Sequence, residues 1–347
     1  MCRLLSPLLC SQLLLLLATS APAEEPLRIN GPTMGSYYSV VIDTPGQASQ
    51  KQLQQDIEAI FARISSMMST WDNNSEISRF NASDTCNWFP VSPEFAFVAA
   101  EALRVHELTE GSLDVTIAPL IDAWGFGSSG KKTIPPPEVI QTALRKIGSR
   151  HLQVRNDPPA IRRCIPGLQI SLNSLAPGYA ADLVSELLRA RGLERHVVDV
   201  GGEIHAGRCK LNGAPWRLGV ESPLGGLHTA VEMTDSSIAT SGDYRNFFII
   251  NDRRYAHVLD PRSGYPVEDP PASVSVIHAS AMTADAIATG MMVLGPQRGL
   301  QIARRQKLDV MFLVVHKDGS MEEFSVGRFA DSEQPATPDQ PSPKNSD

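Results

Sequence analysis

The stretch AMTADAIATGMMVLGP, residues 281–296, constrains the fold most, because it places one acid, Asp285, among residues that are otherwise small or apolar. Burying a carboxylate without a partner is costly, so a chain keeps such a residue only if something binds it. In a helix, Asp285 and Thr289 lie one turn apart on one face, whereas Ile287 and Met291 lie on another. We therefore predict a helix that packs through one face and presents two side-chain oxygens on the other.

Helix and strand patterns alternate along the rest of the chain. Apolar residues at helical spacing predict helices over residues 50–68, 93–111 and 179–192. Runs rich in β-branched and aromatic residues predict strands at residues 36–43, 168–173, 195–200, 229–233, 247–252, 273–279 and 310–319. The mixture predicts an α/β (mixed α+β) fold, a single catalytic body of two closely joined lobes with mixed sheets and flanking helices.

The two ends of the chain differ in composition from its body. Residues 1–23 contain one basic residue, a leucine-rich run and Ala21-Pro22-Ala23, which is typical of a secretory signal peptide; an uncleaved anchor is the alternative. We therefore expect an exported, periplasmic protein, with a membrane-attached form as the alternative. Residues 24–330 form the predicted catalytic domain. Residues 331–347 are rich in proline and poor in apolar residues, which predicts a disordered tail.

Charge and cysteine content argue against several kinds of partner and site. The formal net charge of −7 argues against nucleic acid as a partner, because phosphate binding needs a basic face. Beyond the predicted signal peptide only Cys86, Cys164 and Cys209 remain, so at most one disulfide is possible. Neither CxxC nor HExxH occurs in the sequence, so no zinc knuckle or zincin site is supported.

Two glycine-containing stretches are similar to nucleotide-binding loops, but each lacks a required residue. In GFGSSGKK, residues 125–132, Lys132 stands where Ser or Thr must hold magnesium, and three prolines follow where a helix must begin. We predict a surface loop over residues 127–138 instead. In VDVGGEI, residues 198–204, the third glycine of a dinucleotide turn is missing, and a tight turn between strands is expected.

Eight segments resemble, in the same order, the ApbE family of FAD:protein FMN transferases. They lie at residues 33–40, 68–81, 111–127, 171–184, 197–204, 237–248, 255–267 and 282–295. The resemblance implies that the protein binds FAD and Mg²⁺ and moves the FMN half of FAD onto a Thr or Ser hydroxyl of an exported acceptor protein, releasing AMP. Two other functions remain open: a magnesium-dependent FAD pyrophosphatase, and a non-catalytic flavin carrier or assembly factor.

The resemblance also implies which residues contact FAD. They are Met34, Trp71, Ser112, Leu113, Asp114, Ser171, Pro177 and Leu259. For Trp71 the alternative is a core aromatic, and for Asp114 a residue that caps a turn. At 171 and 177 many relatives have an acid and a charged residue, so either flavin affinity is lower here or another residue supplies the lost contact.

Two of the similar segments, residues 255–267 and 282–295, imply a catalytic base and a metal site. By resemblance, Asp285, Thr289 and the backbone carbonyl of Ser174 hold Mg²⁺, and Asp285 is counted as catalytic. The metal-site position at Ala288 is often polar in relatives, so water replaces that group here. The alternative for Asp285 is an acid near a helix N-terminus that balances the dipole. His257 is the candidate base, because an imidazole accepts a proton near neutral pH.

Family acceptors present a motif of Asp, two small residues and Thr, and the resemblance implies an electron-transfer membrane protein as partner. The nearest stretch here, DSSIAT at residues 235–240, has Ile238 where the hydroxyl must be. We therefore expect the protein to act on another chain and not to flavinylate itself.

Overall fold

The structure is a computed structural model that describes residues 25–83, 85–126, 133–242, 247–250, 253–256 and 258–330. The predicted signal peptide and tail, and the candidate base His257, lie outside these residues. Within the described part, no helix has the length and apolar character needed to cross a membrane.

Helices and strands are mixed along the chain, which confirms the α+β class. The helices are α1 (Gln50–Met68), α2 (Glu76–Ala82), α3 (Pro93–Leu108), α4 (Ala118–Ala123), α5 (Pro137–Leu144), α6 (Ala176–Ala190) and α7 (Ala281–Gln306). The strands are β1 (Leu27–Thr33), β2 (Ser36–Ile42), β3 (Phe89–Pro90), β4 (Leu152–Asn156), β5 (Pro159–Arg163), β6 (His196–Val200), β7 (Glu203–Ala206), β8 (Trp216–Glu221), β9 (Leu227–Met233), β10 (Ser236–Gly242), β11 (Phe247–Ile250), β12 (Arg253–Ala256), β13 (Ser273–His278), β14 (Asp309–Val315) and β15 (Met321–Val326).

An eight-stranded sheet forms the centre of the fold, with strand order β1-β2-β6-β7-β10-β13-β14-β15. Its neighbouring strands pair antiparallel throughout. The helices α6 and α7 pack against it and contribute to the largest apolar cluster. A second apolar cluster joins the hairpin β8–β9 to residues of the same sheet. The sheet is therefore covered by helices in one region and by a hairpin in another.

The helix α1 has the bounds that its apolar spacing predicts. Ser49 caps it by accepting a hydrogen bond from the backbone N–H of Gln52, and Leu53, Ile57 and Phe61 are buried along one face. The helix α6 begins before the predicted start at residue 179, because the proline in its first turn needs no hydrogen-bond partner for a backbone N–H. For the same reason α5 begins at the third proline of the segment predicted as a loop.

The predicted strand at residues 168–173 is wrong, since this segment is irregular in the structure. The side chain of Asn81 takes the place of a neighbouring strand there. Its amide Nδ2 donates to the carbonyl of Ile170 at 2.8 Å, and its Oδ1 accepts from the N–H of Ile170 at 2.9 Å. The backbone of Ile170 is thus satisfied without a neighbouring strand, and the segment follows the wall of a cleft.

The helix α7 carries the buried acid Asp285. Its first turn is capped by Ser280, whose hydroxyl accepts from the N–H of Thr283, and by Asp182, which accepts from the N–H groups of Ala281 and Met282. The helix continues to Gln306, past the end of the predicted run. The chain leaves helical geometry at a glycine with φ of 68° just before the internal proline, so the helix is kinked there.

Candidate functional site

A cleft of about 310 Å³ lies beside α7 and collects most of the predicted site residues. Its walls come from the loop before α4, the irregular segment before α6, the end of β10, the residues after β12 and one face of α7. The predicted residues that line it are Ser112, Leu113, Asp114, Ser171, Ser174, Leu259, Asp285 and Thr289. Residues that are distant in sequence and were assigned to flavin and to metal therefore face one space.

Among the predicted residues that the structure describes, four do not line this cleft. Met34 is half-buried in the turn after β1, with φ of 48°, and Pro177 is half-buried in the first turn of α6. Trp71 is 75% exposed, so the alternative of a core aromatic is wrong. Ala288 is fully buried in α7, and its methyl group carries no oxygen that a metal could use.

Asp285 is buried, with 6% of its surface exposed, and only part of its carboxylate is satisfied. The backbone N–H of Gly178 favours the charged form and acts to lower the pKa of this carboxyl group. Its Oδ2 atom is buried and has no hydrogen-bond partner among the described residues. Burial raises the pKa of Asp285 to about 7. One carboxylate oxygen is thus held in a low-dielectric site without a donor, which is the condition that a bound cation would relieve.

The alternative that Asp285 serves the end of its helix does not hold. The N–H groups of the first turn already bond to Asp182 and Ser280, and Asp285 follows them in the next turn.

The glycine at 178 is needed to bring the start of α6 so close to the start of α7. A Cβ there would lie 2.4 Å from the carbonyl oxygen of Ala281, so only glycine allows this contact.

A second acid, Glu203 at the start of β7, interacts electrostatically with Asp285 and was not predicted from the sequence, although it does not line the cleft. Burial raises the pKa of Glu203 well above its usual value, and the negative charge of Asp285 raises it further. The sequence offered a signal, since Glu203 lies in VDVGGEI, one of the segments of the resemblance, but the pattern alone indicated only a tight turn. The charge of Asp285 thus disfavours ionisation of Glu203, and a nearby cation would favour the charged form of both carboxyl groups.

The donors beside Asp285 are of one chemical kind. The hydroxyl of Thr289 lies one helical turn away and is 3.4 Å from the hydroxyl of Ser241, and Ser174 faces the same cleft. In the described part of the chain, no group of three or more His, Cys, Asp or Glu side chains could hold a metal. The set of one carboxylate, hydroxyls and a carbonyl fits a small, hard cation such as Mg²⁺, which keeps several waters.

Ser112 and Asp114 position the wall of the cleft through bonds within the protein. The hydroxyl of Ser112 donates to the carbonyl of Gly290 in α7 at 2.8 Å. The carboxylate of Asp114 accepts from the N–H and hydroxyl of Thr116 and from those of Ser149, at 2.6–3.1 Å. The contacts of Asp114 are those expected of an acid that caps a turn, and Asp114 also lines the cleft.

A larger, open groove of about 1540 Å³ lies beside the turn that comes after Leu259 in the chain. Asp260 and Tyr265 line it, while Leu259 next to them lines the cleft. Arg262 forms an ion pair with Asp260 at 2.8 Å and closes the turn. The contacts of Arg262 in the structure are therefore to its own turn.

Comparison with known proteins gives consistent matches over most of the chain. The profile of the ApbE family matches residues 34–312. A FAD:protein FMN transferase of Vibrio cholerae is 38% identical over 317 residues, which cover 90% of this chain and 94% of that protein. The protein of the same name from Escherichia coli K12 is 32% identical over 302 residues, covering 85% and 86%.

Solved structures agree with these sequence matches. The flavin transferase ApbE from Vibrio cholerae superposes with a TM-score of 0.81 at 35% identity, over 90% of this chain and all of that one. The apo form of the Pseudomonas stutzeri flavinyl transferase ApbE gives a TM-score of 0.82 at 35% identity, over 88% and 96%. The architecture described above is thus shared with these proteins.

Proposed function

The chain belongs to the ApbE family, and from this membership and the cleft beside α7 we propose that it transfers the FMN moiety of FAD to a Thr or Ser hydroxyl of an acceptor protein. The reaction depends on Mg²⁺, releases AMP and takes place in the periplasm. The similar proteins named FAD:protein FMN transferase support the reaction class. The unpartnered Oδ2 of Asp285 in the cleft is the observation that carries the metal dependence.

The chemistry is displacement at phosphorus. The acceptor hydroxyl oxygen forms a bond to the phosphorus of the FMN half, the bond from that phosphorus to the AMP phosphate oxygen breaks, and AMP leaves. When bound, Mg²⁺ supplies positive charge for the pyrophosphate oxygens. We propose that Asp285, Thr289 and the carbonyl of Ser174 hold it, since all three residues line the cleft with oxygen donors.

The protein itself orients the flavin dinucleotide and limits access of water. Apolar side chains make up much of the cleft wall, among them Leu113, Val115, Leu259 and Met292. A volume of about 310 Å³ is at the lower end of the range for small-molecule sites, so the cleft accommodates part of FAD and the remainder extends from its mouth. Restricted water access favours a protein hydroxyl over water as the attacking group.

His257 is proposed as the base that takes the proton of the acceptor hydroxyl. It lies outside the described residues, but its neighbours in the chain, Val258 and Leu259, both line the cleft. An imidazole suits this role near neutral pH. The partner is proposed to be an exported domain of an electron-transfer membrane protein that carries the Asp-small-small-Thr motif.

The test is mass spectrometry of an acceptor domain with this motif after incubation with the purified protein, FAD and Mg²⁺. An increase of one FMN on the motif threonine is expected, with AMP released and no increase on a control acceptor whose motif threonine is replaced by valine. Free FMN and AMP without an adduct would identify a pyrophosphatase. Unchanged FAD would leave only a carrier role and would contradict the proposal.

A further inference from the structure

Two of the three cysteines beyond the predicted signal peptide are brought opposite each other by a short strand pairing. The strands β3 and β5 are antiparallel, with Phe89 opposite Ile161 and Pro90 opposite Ala160. Because the strands are antiparallel, each step towards the N-terminus from Phe89 corresponds to one step towards the C-terminus from Ile161. Continued for three residues beyond Phe89, the same register places Cys86 opposite Cys164.

Contacts on both sides link the two segments just beyond the paired residues, where the chain bends at Asn87 and Cys164. Trp88 and Arg162 are opposite each other in this register, and the guanidinium carbon of Arg162 lies 4.8 Å from the centre of the Trp88 ring. The N–H of Cys164 donates to the carbonyl of His151 at 2.8 Å, which extends the β4–β5 pairing by one residue. Arg163 in turn donates to the carbonyl of Phe80, anchoring the segment that leads to Cys86.

The position of the pair within the ladder suits a covalent bond. The N–H of Val91 donates to the carbonyl of Pro159 at 3.3 Å, so hydrogen-bonded pairs fall at every second residue from there. If the ladder is continued, Cys86 and Cys164 fall at a non-hydrogen-bonded position, where opposing Cα atoms are only about 4.5 Å apart. A disulfide needs a Cα separation of about 4.4–6.8 Å, so this type of pair can be bridged without a large backbone shift.

Both thiols also lie on the outer face of this small sheet. Side chains alternate along β5, with Arg163 buried and Cys164 exposed, and Cys86 is exposed as well. The third cysteine, Cys209, is only partly exposed and lies between β7 and β8, in the region of the second apolar cluster. Cys86 and Cys164 are therefore the pair that the fold selects.

We propose that Cys86 and Cys164 form a disulfide when the protein meets a disulfide oxidant, as an exported protein does. The two thiols lose two protons and two electrons, one S–S bond forms, and the disulfide of the oxidant is reduced to two thiols. The bond joins the segment before β3 to the end of β5. It closes a loop that includes α3, Ser112, Asp114 and α4, and thus the wall of the cleft beside α7.

The test uses the chain from residue 24 onwards, incubated with oxidised glutathione and digested with trypsin without reduction. We expect one cross-linked species, in which the peptide of residues 80–104 is joined to that of residues 164–189 and weighs about 2 Da less than the two separate peptides. Thiol titration of the native protein should fall from three reactive groups to one. Oxidation should raise the melting temperature by about 5 °C, because the bridge restricts the unfolded chain.

Three variants make the assignment specific. Cys86→Ser and Cys164→Ser should each abolish the cross-link and the gain in melting temperature, whereas Cys209→Ser should retain both. Three titratable thiols after oxidation, glutathione adducts on the two cysteines in place of a cross-link, or a cross-link that contains Cys209 would each overturn the proposal.

Discussion

Replacing Asp285 by asparagine should stabilise the metal-free protein at alkaline pH, although it removes a buried charged group. The carboxylate has one buried oxygen without a hydrogen-bond partner, and burial raises the pKa of Asp285 from 3.8 to about 7. The pKa of Asp285 is higher in the folded state than in the unfolded state. Its contribution to stability is therefore fully present below about pH 4 and is lost as pH rises through about 7. A shift of this size corresponds to about 4 kcal/mol, which is the penalty that Asp285→Asn removes.

The measurement is thermal unfolding of both proteins in EDTA, at pH 5 and pH 8. The difference between Asp285→Asn and the parent should be larger at pH 8, with the variant melting about 5 °C higher or more. Added Mg²⁺ should raise the melting temperature of the parent and leave the variant unchanged. A variant that melts below the parent at pH 8 without metal, or that Mg²⁺ stabilises equally, would refute the argument.

Asp114 provides the matched control. Its carboxylate lines the same cleft but accepts four hydrogen bonds from Thr116 and Ser149. Asp114→Asn replaces one acceptor oxygen by a donor, so it should lower the free energy of unfolding by about 1–3 kcal/mol at pH 8 with or without Mg²⁺. The two substitutions are chemically identical, and their opposite signs test whether an unpartnered oxygen distinguishes Asp285.

Three further expectations follow from the same site. His257→Ala should leave FAD binding, measured by fluorescence quenching, nearly intact and lower transfer by about 10²-fold or more; a parallel loss of both would make it a binding or folding residue. Gly178→Ala should cost about 1–3 kcal/mol in chemical denaturation, because the added methyl meets the carbonyl of Ala281; an unchanged midpoint would contradict the close helix contact. The purified protein should carry no covalent FMN by intact mass, since Ser237 is fully buried in β10 and Ile238 replaces the motif hydroxyl; an adduct on Thr240 or Ser237 would overturn this.

Local sequence patterns were sufficient to predict those elements whose caps and apolar residues lie within their own sequence. The helix α1 has both its cap, Ser49, and its apolar stripe in its own sequence, and its bounds are as predicted. The helical spacing of Asp285 and Thr289 likewise held, because it depends only on the period of the helix. The resemblance to the family then indicated residues from separate segments that the fold brings to one cleft.

Tertiary contacts decided the features that the sequence could not predict. Residues 168–173 have the composition of a strand, but the backbone of Ile170 bonds to the side chain of Asn81, which is distant in sequence. The acidic partner of Asp285, Glu203, becomes recognisable only when β7 and α7 are packed together. The sequence also did not show that a second helical segment follows the kink at Gly295 and continues to Gln306.

The most direct test of the central claim is the rate of FMN transfer by a folded Asp285→Ala variant as the concentration of Mg²⁺ is increased. Folding is first verified by circular dichroism and by a melting transition at least as cooperative as that of the parent. We expect that the variant transfers no FMN to the acceptor and does not respond to added Mg²⁺. Near-normal transfer that still depends on Mg²⁺ would contradict it.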